Sequence, residues 1–422
     1  MTQRYDTYKD SGVQWLGEIP GHWEVLRNKS LLRMTEEKVG NRNDITLLSL
    51  TKQGVIIRDL SEGKGKFPKD FETYLVVRPN NLVFCLFDID ETPRTVGLVR
   101  NYGMLTGAYS NFEVNEDMVL PEYAYYYYLQ IDDVKGLRPY YTGLRKVVKI
   151  NTFLQLRMPV PPLSEQRSIV SFLDAKCGKI DEWVTKKQKE VEHLQELKQR
   201  VIADAVTRGL NPHVKMKTTN IPWLKEIPEH WERTTLRKFL RLFSEKNHGD
   251  KQLLSVTREQ GVIVRDIESK EGNHNFIPDD LSGYKYVQIG DFVINKMKSW
   301  QGSYGVSNYE GIVSPAYYTC KLEGIDRTFF NLAIRSKIYV SFFGRYSKGI
   351  RVDQWDLSPF ALTSIPFAVP PLSEQKQIVS YLDAKCSKID KLIDNVTKEI
   401  ECIKEYKQRL ISDVVTGQIK VC

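Results

Sequence analysis

The sequence predicts two α/β heads joined by two antiparallel coiled-coil helices, the whole arranged as an internal repeat with pseudo-two-fold character. Three observations predict it. The block Val160-Pro161-Pro162-Leu163-Ser164-Glu165-Gln166 returns as Val369-Pro370-Pro371-Leu372-Ser373-Glu374-Gln375. A long apolar heptad pattern follows each copy. A series of shorter matches precedes each copy in the same order, so a complete plan of head plus helix has been duplicated.

The matches begin with Trp15-Leu16-Gly17-Glu18-Ile19-Pro20-Gly21-His22-Trp23-Glu24, which reappears as Trp223-Leu224-Lys225-Glu226-Ile227-Pro228-Glu229-His230-Trp231-Glu232. Leu47-Leu48-Ser49-Leu50-Thr51 then matches Leu253-Leu254-Ser255-Val256-Thr257, and Gln53-Gly54-Val55-Ile56-Ile57-Arg58-Asp59 matches Gln260-Gly261-Val262-Ile263-Val264-Arg265-Asp266. Gly103-Met104-Leu105-Thr106-Gly107-Ala108-Tyr109 parallels Gly311-Ile312-Val313-Ser314-Pro315-Ala316-Tyr317, and Gly143-Leu144-Arg145 parallels Gly349-Ile350-Arg351. Between these anchors the heads diverge, with 84–99 sharing little with 293–307. Matching frames around different fillings imply one fold carrying two surfaces.

Within the heads, β-rich runs at 46–50, 55–57, 82–86, 262–264 and Phe292–Asn295 are separated by Gly, Asn and Asp turns, and read as strands. Segments 123–130 and 329–336 read as short helices against that sheet. The tyrosines Tyr125, Tyr126, Tyr127 and Tyr128 are expected to form a buried helical face rather than a stacking platform. His22 and His230, being repeated, point to a structural role at the start of each head.

Each arm opens after two prolines, with Ser164 or Ser373 as the expected N-cap. Leu173, Ile180, Val184, Val191, Leu194 and Val201 keep heptad spacing in the first arm; Leu382, Ile389, Ile393, Ile400, Ile403 and Leu410 keep it in the second. Arms of about 45 residues would each span ~65 Å, and an antiparallel pairing would place the heads at opposite ends. Lys198 and Lys407 share one core-like position. Their stems are expected to snorkel to solvent, the alternative being a register or docking device. The domains read as 1–158 (head one), 159–210 (first arm), 211–368 (head two) and 369–422 (second arm).

Composition sets outer bounds. In 422 residues, 41% hydrophobic and 11% aromatic content suits folded domains and argues against wholesale disorder. The net charge of +8 is compatible with a nucleic-acid partner without requiring one. The cysteines form no metal-like spacing, and Cys177 and Cys386 fall at equivalent apolar positions of the arms, where a reduced thiol packs as a small hydrophobe. No apolar run reaches the length of a membrane span. These features point to a cytoplasmic protein with no membrane contact. Gly63-Lys64-Gly65-Lys66 lacks the spaced glycine of a phosphate-binding loop, the histidines form no metal pattern, and Asp88, Asp90 and Glu91 have no counterpart in the second copy. No catalytic residue or metal ligand is assigned.

Basic and polar side chains on glycine-rich turns remain. Lys64, Lys66, Arg94, Arg145 and Lys146 in head one, and Lys296, Lys298, Gln301, Lys348 and Arg351 in head two, are the candidates for contact with double-stranded DNA. Lysine and arginine neutralise phosphates, while Arg and Gln can read base edges. Positions that recur in both heads suit backbone contact; positions that differ suit specificity.

The repeated Pro-Pro-Leu-Ser-Glu-Gln block opening a long helix, the Ile-Pro-x-His-Trp-Glu segments and the frame Gly311 to Tyr317 resemble the specificity subunits of type I restriction-modification systems across essentially the whole chain. The resemblance implies two target-recognition domains, each gripping one half of a bipartite DNA site, with the arms 164–207 and 373–416 acting as spacer and docking surface. It implies a subunit that is not itself an enzyme and holds no cofactor. Two modification subunits would bind S-adenosylmethionine, and two restriction subunits would use ATP and Mg. The alternatives are a coiled-coil scaffold without DNA readout, or a nuclease or methyltransferase with an unrecognised site.

Overall fold

The computed structural model describes residues 3–421, apart from 14–15, 43, 59–70, 144–145, 222–223, 267–276, 279 and 350–354. The chain forms two compact units: Met1–Gln188 with Lys398–Cys422, and Lys189–Thr397. Each unit therefore holds one head, the opening part of the arm that follows that head and the closing part of the other arm.

In the first unit, a four-stranded antiparallel sheet has the order Leu32–Thr35, Ser110–Val114, Leu82–Phe84, Val96–Leu98. In the second, the order Leu240–Phe243, Tyr317–Leu322, Phe292–Asn295, Tyr304–Val306 repeats it strand for strand. Smaller pairs repeat too. Leu48–Thr51 pairs with Gly54–Ile57 as Leu254–Thr257 pairs with Gly261–Val264, each through a turn whose glycine takes positive φ (Gly54 100°, Gly261 76°). Leu75–Val77 pairs with Gly103–Leu105 as Lys285–Val287 pairs with Gly311–Val313. A Cβ at Gly103 would sit 2.6 Å from the Thr46 carbonyl, and one at Gly311 2.5 Å from the Gln252 carbonyl. That close approach explains why both glycines recur in the sequence.

The head helices fall where the pattern places them, Pro121–Asp133 and Arg327–Ile334. Tyr126, Tyr127 and Tyr128 are buried and Tyr125 is half-buried against them, so the tyrosine run packs on the core. Head two adds the helix Lys337–Tyr346, whose Phe343 stacks on Tyr304 at 4.0 Å. Both cores are apolar. Phe84, Phe112 and Phe153 pack together in the first, and Phe292, Phe330 and Phe367 stand in the second. Removing this surface from water is the main stabilising term.

The two most strongly repeated motifs meet in space. Strand Glu24–Arg27 pairs with Arg157–Val160, and Glu232–Thr235 with Pro366–Val369, so each head closes where its arm begins. In the first unit Glu165 accepts hydrogen bonds from Tyr5 Oη and from Trp23 Nε1 (3.1 Å), and its other oxygen lies 2.8 Å from His22 Nε2. In the second, Glu374 lies 3.2 Å from Trp231 Nε1 and 2.7 Å from His230 Nε2. Burial pushes the Glu165 carboxyl up, but the bonds from Tyr5, His22 and Trp23 outweigh it and hold the group below its ordinary value. The adjacent glutamine grips the head helix: Gln166 accepts from Leu120 N at 2.7 Å, and Gln375 from Asp326 N at 2.8 Å. The histidines thus have the structural role the repetition implies.

The arms are single helices, Leu163–Arg208 and Leu372–Val415. Neither serine is the N-cap. The carbonyl of Pro162 accepts from the amides of Glu165 and Gln166, and that of Pro371 from Glu374 and Gln375, so Ser164 and Ser373 lie inside the first turn. The glutamates at the third position suit the positive end of the helix dipole. Leu173, Ile180, Leu382, Ile389, Ile400 and Leu410 are buried, and Val184, Val191, Leu194, Val201, Ile393 and Ile403 are half-buried.

Inside the first unit the arms run antiparallel, with Asp181 bonded to Lys407 and Lys187 to Glu399. Lys198 and Lys407 do not simply snorkel. In the second unit Lys198 Nζ lies 2.7 Å from both oxygens of Asp390, and in the first Lys407 Nζ lies 2.7 Å from both oxygens of Asp181. The same bidentate pair therefore occurs once in each unit. The paired aspartates are 48% and 63% exposed, so each lysine stem runs out to the arm surface as expected, and its ammonium adds a cross-arm pair there of the kind a register device uses. Burial pushes the Cys177 thiol up to about 11, as suits a packing cysteine.

Candidate nucleic-acid interface

In each head two loops converge at one end of the four-stranded sheet. The first connects its two strands Leu82–Phe84 and Val96–Leu98 in head one, or Phe292–Asn295 and Tyr304–Val306 in head two. The second loop bears the Gly-x-Arg motif and is closed by a backbone bridge, Thr142 to Val147 or Lys348 to Asp356. The loops are tied identically: Val148 N donates to the Leu86 carbonyl at 2.8 Å, and Leu357 N to the Lys296 carbonyl at 3.2 Å.

The chemistry on this shared frame differs. In head one the first loop presents Asp90, held by Arg138 at 2.5 Å, Lys146 at 3.3 Å and Tyr141 at 3.2 Å. The Arg138 bond holds the Asp90 carboxyl below its ordinary value, with lesser help from Lys146 and Tyr141. Burial, reinforced by Asp90, pushes the Tyr141 phenol up to about 12. In head two the same loop begins Lys296-Met297-Lys298, with Lys298 exposed. Lys296 pairs with Asp356 at 3.2 Å. Trp300 and Trp355 lie with ring centres 5.3 Å apart, half-buried beside the lysines.

The candidate residues separate accordingly. Lys146 joins the Asp90 cluster; Lys296, Lys298 and Lys348 gather at the corresponding end of head two, with Lys348 exposed. Gln301 turns away, toward a groove of about 1030 Å³ lined on the head side by Arg258 and Lys337 and on the arm side by Glu192 and Glu196. Arg94 requires correction as a DNA-contact candidate. Its side chain is 18% exposed and bonds Asp132 at 3.0 Å and Asp133 at 2.9 Å, so the guanidinium is committed inside the head. Lys64, Lys66, Arg145 and Arg351 lie outside the described residues. Arg138, Trp300 and Trp355 are additions. Arg138 gave no repeat signal, and the two tryptophans are distant in sequence.

No group of three or more His, Cys, Asp or Glu side chains among the described residues could hold a metal ion, and no described helix is long and apolar enough to cross a membrane. No protein-family model matches the chain. It is 26% identical over 298 residues to the type I restriction enzyme MjaVIII specificity subunit of Methanocaldococcus jannaschii, covering 66% of both chains. Its relatives are type I restriction-enzyme specificity subunits. A second relative from that organism is 27% identical over 277 residues, 60% of its length. The chain thus spans slightly less than two thirds of the length of these specificity subunits. The fold of a chain solved in work on complex assembly and conformational transition of the type I restriction-modification system is similar, with a TM-score of 0.64 at 15% identity over 94% of this chain and 98% of that one.

Proposed function

We propose that this chain is the DNA-specificity subunit of a type I restriction-modification complex, each head reading one half of a bipartite, asymmetric site. The observation that carries the reading is one strand frame, tied by equivalent hydrogen bonds, that presents an aspartate held by an arginine, a lysine and a tyrosine in head one and lysines with tryptophans in head two. Two surfaces of unlike side chains on one frame suit two different half-sites. Phosphate contacts would supply salt-dependent affinity and the differing loop residues the sequence preference.

The arms act as the spacer and dock two modification subunits, which in turn associate with two restriction subunits. S-adenosylmethionine, ATP and Mg belong to those partners, and this chain supplies readout without catalysis, in the cytoplasm. The likeness to specificity subunits supports this assignment. Removing one heptad from both arms tests the spacer role. The accepted distance between half-sites, read by selection from a random duplex pool, is expected to shorten; an unchanged distance defeats that role. Selection of no duplex, or binding indifferent to salt, would favour a scaffold instead.

A further inference from the structure

Head two carries a cationic spot that head one lacks, on backbone the two heads share. Lys285 lies opposite Val313 in its strand pair, and the same pairing in head one sets Leu75 opposite Leu105. Lys296 accepts the Leu357 amide through its carbonyl, as Leu86 accepts that of Val148. Lys246 follows Glu245, whose carbonyl takes the Tyr286 amide, as Lys38 follows Glu37, whose carbonyl takes that of Val76. The set Lys38, Leu75, Leu86 of head one is therefore Lys246, Lys285, Lys296 in head two.

Lys285 is half-buried, donates to the Tyr317 carbonyl at 2.5 Å and lies 5.9 Å from the centre of the Tyr318 ring. Asp356 pairs with Lys296. Among the described residues no carboxylate pairs with Lys285. Burial, then repulsion from Lys246 and more weakly from Lys296, pulls the Lys285 ammonium below its ordinary value. A leucine satisfies the fold at this position in head one, so packing does not require the charge. A half-buried ammonium crowded by two others gains most from an anion.

We propose that Lys285, flanked by Lys246 and Lys296, grips a backbone phosphate of DNA at head two, a contact that head one lacks because leucines stand in place of Lys285 and Lys296. This deepens the function proposed above and rests on it. The test uses the full chain, a duplex selected from a random pool and the variants Lys285→Leu and Lys285→Arg. Lys285→Leu is expected to lower the log–log salt slope of binding by about 1. It should weaken matched duplex and duplexes altered in either half-site by the same factor, while Lys285→Arg keeps the wild-type slope. An unchanged slope, or a loss tied to one base pair, overturns the phosphate assignment and leaves the wider function standing. Failure of the wild type to bind any duplex overturns both. Lysine methylation of the wild type, read by mass spectrometry, is independent of variant folding: duplex is expected to protect Lys285, and equal labelling with and without duplex overturns the contact.

Discussion

The two heads fasten the same strand to the same helix by opposite means. In head one, Asp132 at the end of the helix accepts from Thr95 Oγ1 at 2.6 Å and Thr95 N at 3.1 Å, and pairs with Arg94 and Lys135. In head two the junction is neutral at its centre. Asn331 Oδ1 accepts the Val306 amide at 3.0 Å, and Tyr304 Oη donates to the Ile334 carbonyl at 3.1 Å. Among the described residues Arg335 bonds to carbonyls, including those of Arg258 and Glu259 at 2.9 and 2.8 Å. Strand pairing is a backbone property, so its register survives while the side chains around it change character. The fold therefore tolerates two fillings, and that tolerance is what two different target surfaces need.

The comparison breaks if the two junctions respond alike to removal of their central side chains. Arg94→Ala leaves Asp132 and Asp133 short of a partner in a largely buried setting, and should destabilise head one by roughly 2 to 3 kcal/mol, below the cost of breaking a fully buried pair. Asn331→Ala removes a neutral acceptor and should cost head two about 1 kcal/mol. Urea unfolding followed by hydrogen exchange in each head measures both, and equal losses would refute the contrast.

A smaller difference separates the two glutamate latches. Glu165→Ala strands the buried Tyr5 and Trp23 donors and should cost about 1–3 kcal/mol. Glu374→Ala should cost less, because among the described residues Glu374 holds no tyrosine hydroxyl and its side chain is more exposed, 20% against 9%. The first latch also has a pH signature. The Glu165 carboxyl is held below its ordinary value in the fold, so its contribution is present in full above the usual carboxylate range and is lost as pH falls through the depressed value. Acid titration of the wild type against Glu165→Gln should show that loss in the wild type alone; parallel curves would contradict it.

Much of the frame was legible in the sequence because it repeats. The strand Phe292–Asn295, both head helices, the arms and the buried tyrosines follow from periodicity and duplication. The site was less legible, for physical reasons. Arg94 reads as a surface arginine until Asp132, 38 positions away, folds beside it. Ser164 has the chemistry of a cap, but Pro162 takes that place, because the Glu165 and Gln166 amides already close on its carbonyl. The role of Lys198 depends on Asp390, a residue of the other arm. Charge partners distant in the chain leave no local pattern, whereas glycines under close backbone approach leave a strong one.

The most direct test of the central claim replaces residues 211–368 with an unrelated head of the same frame. Duplexes are then selected from a random pool by the exchanged chain and by the wild type. The expected result is a bipartite site in which one half is kept and the other replaced, at unchanged spacing. A change in both halves, or in neither, would contradict independent reading by two heads.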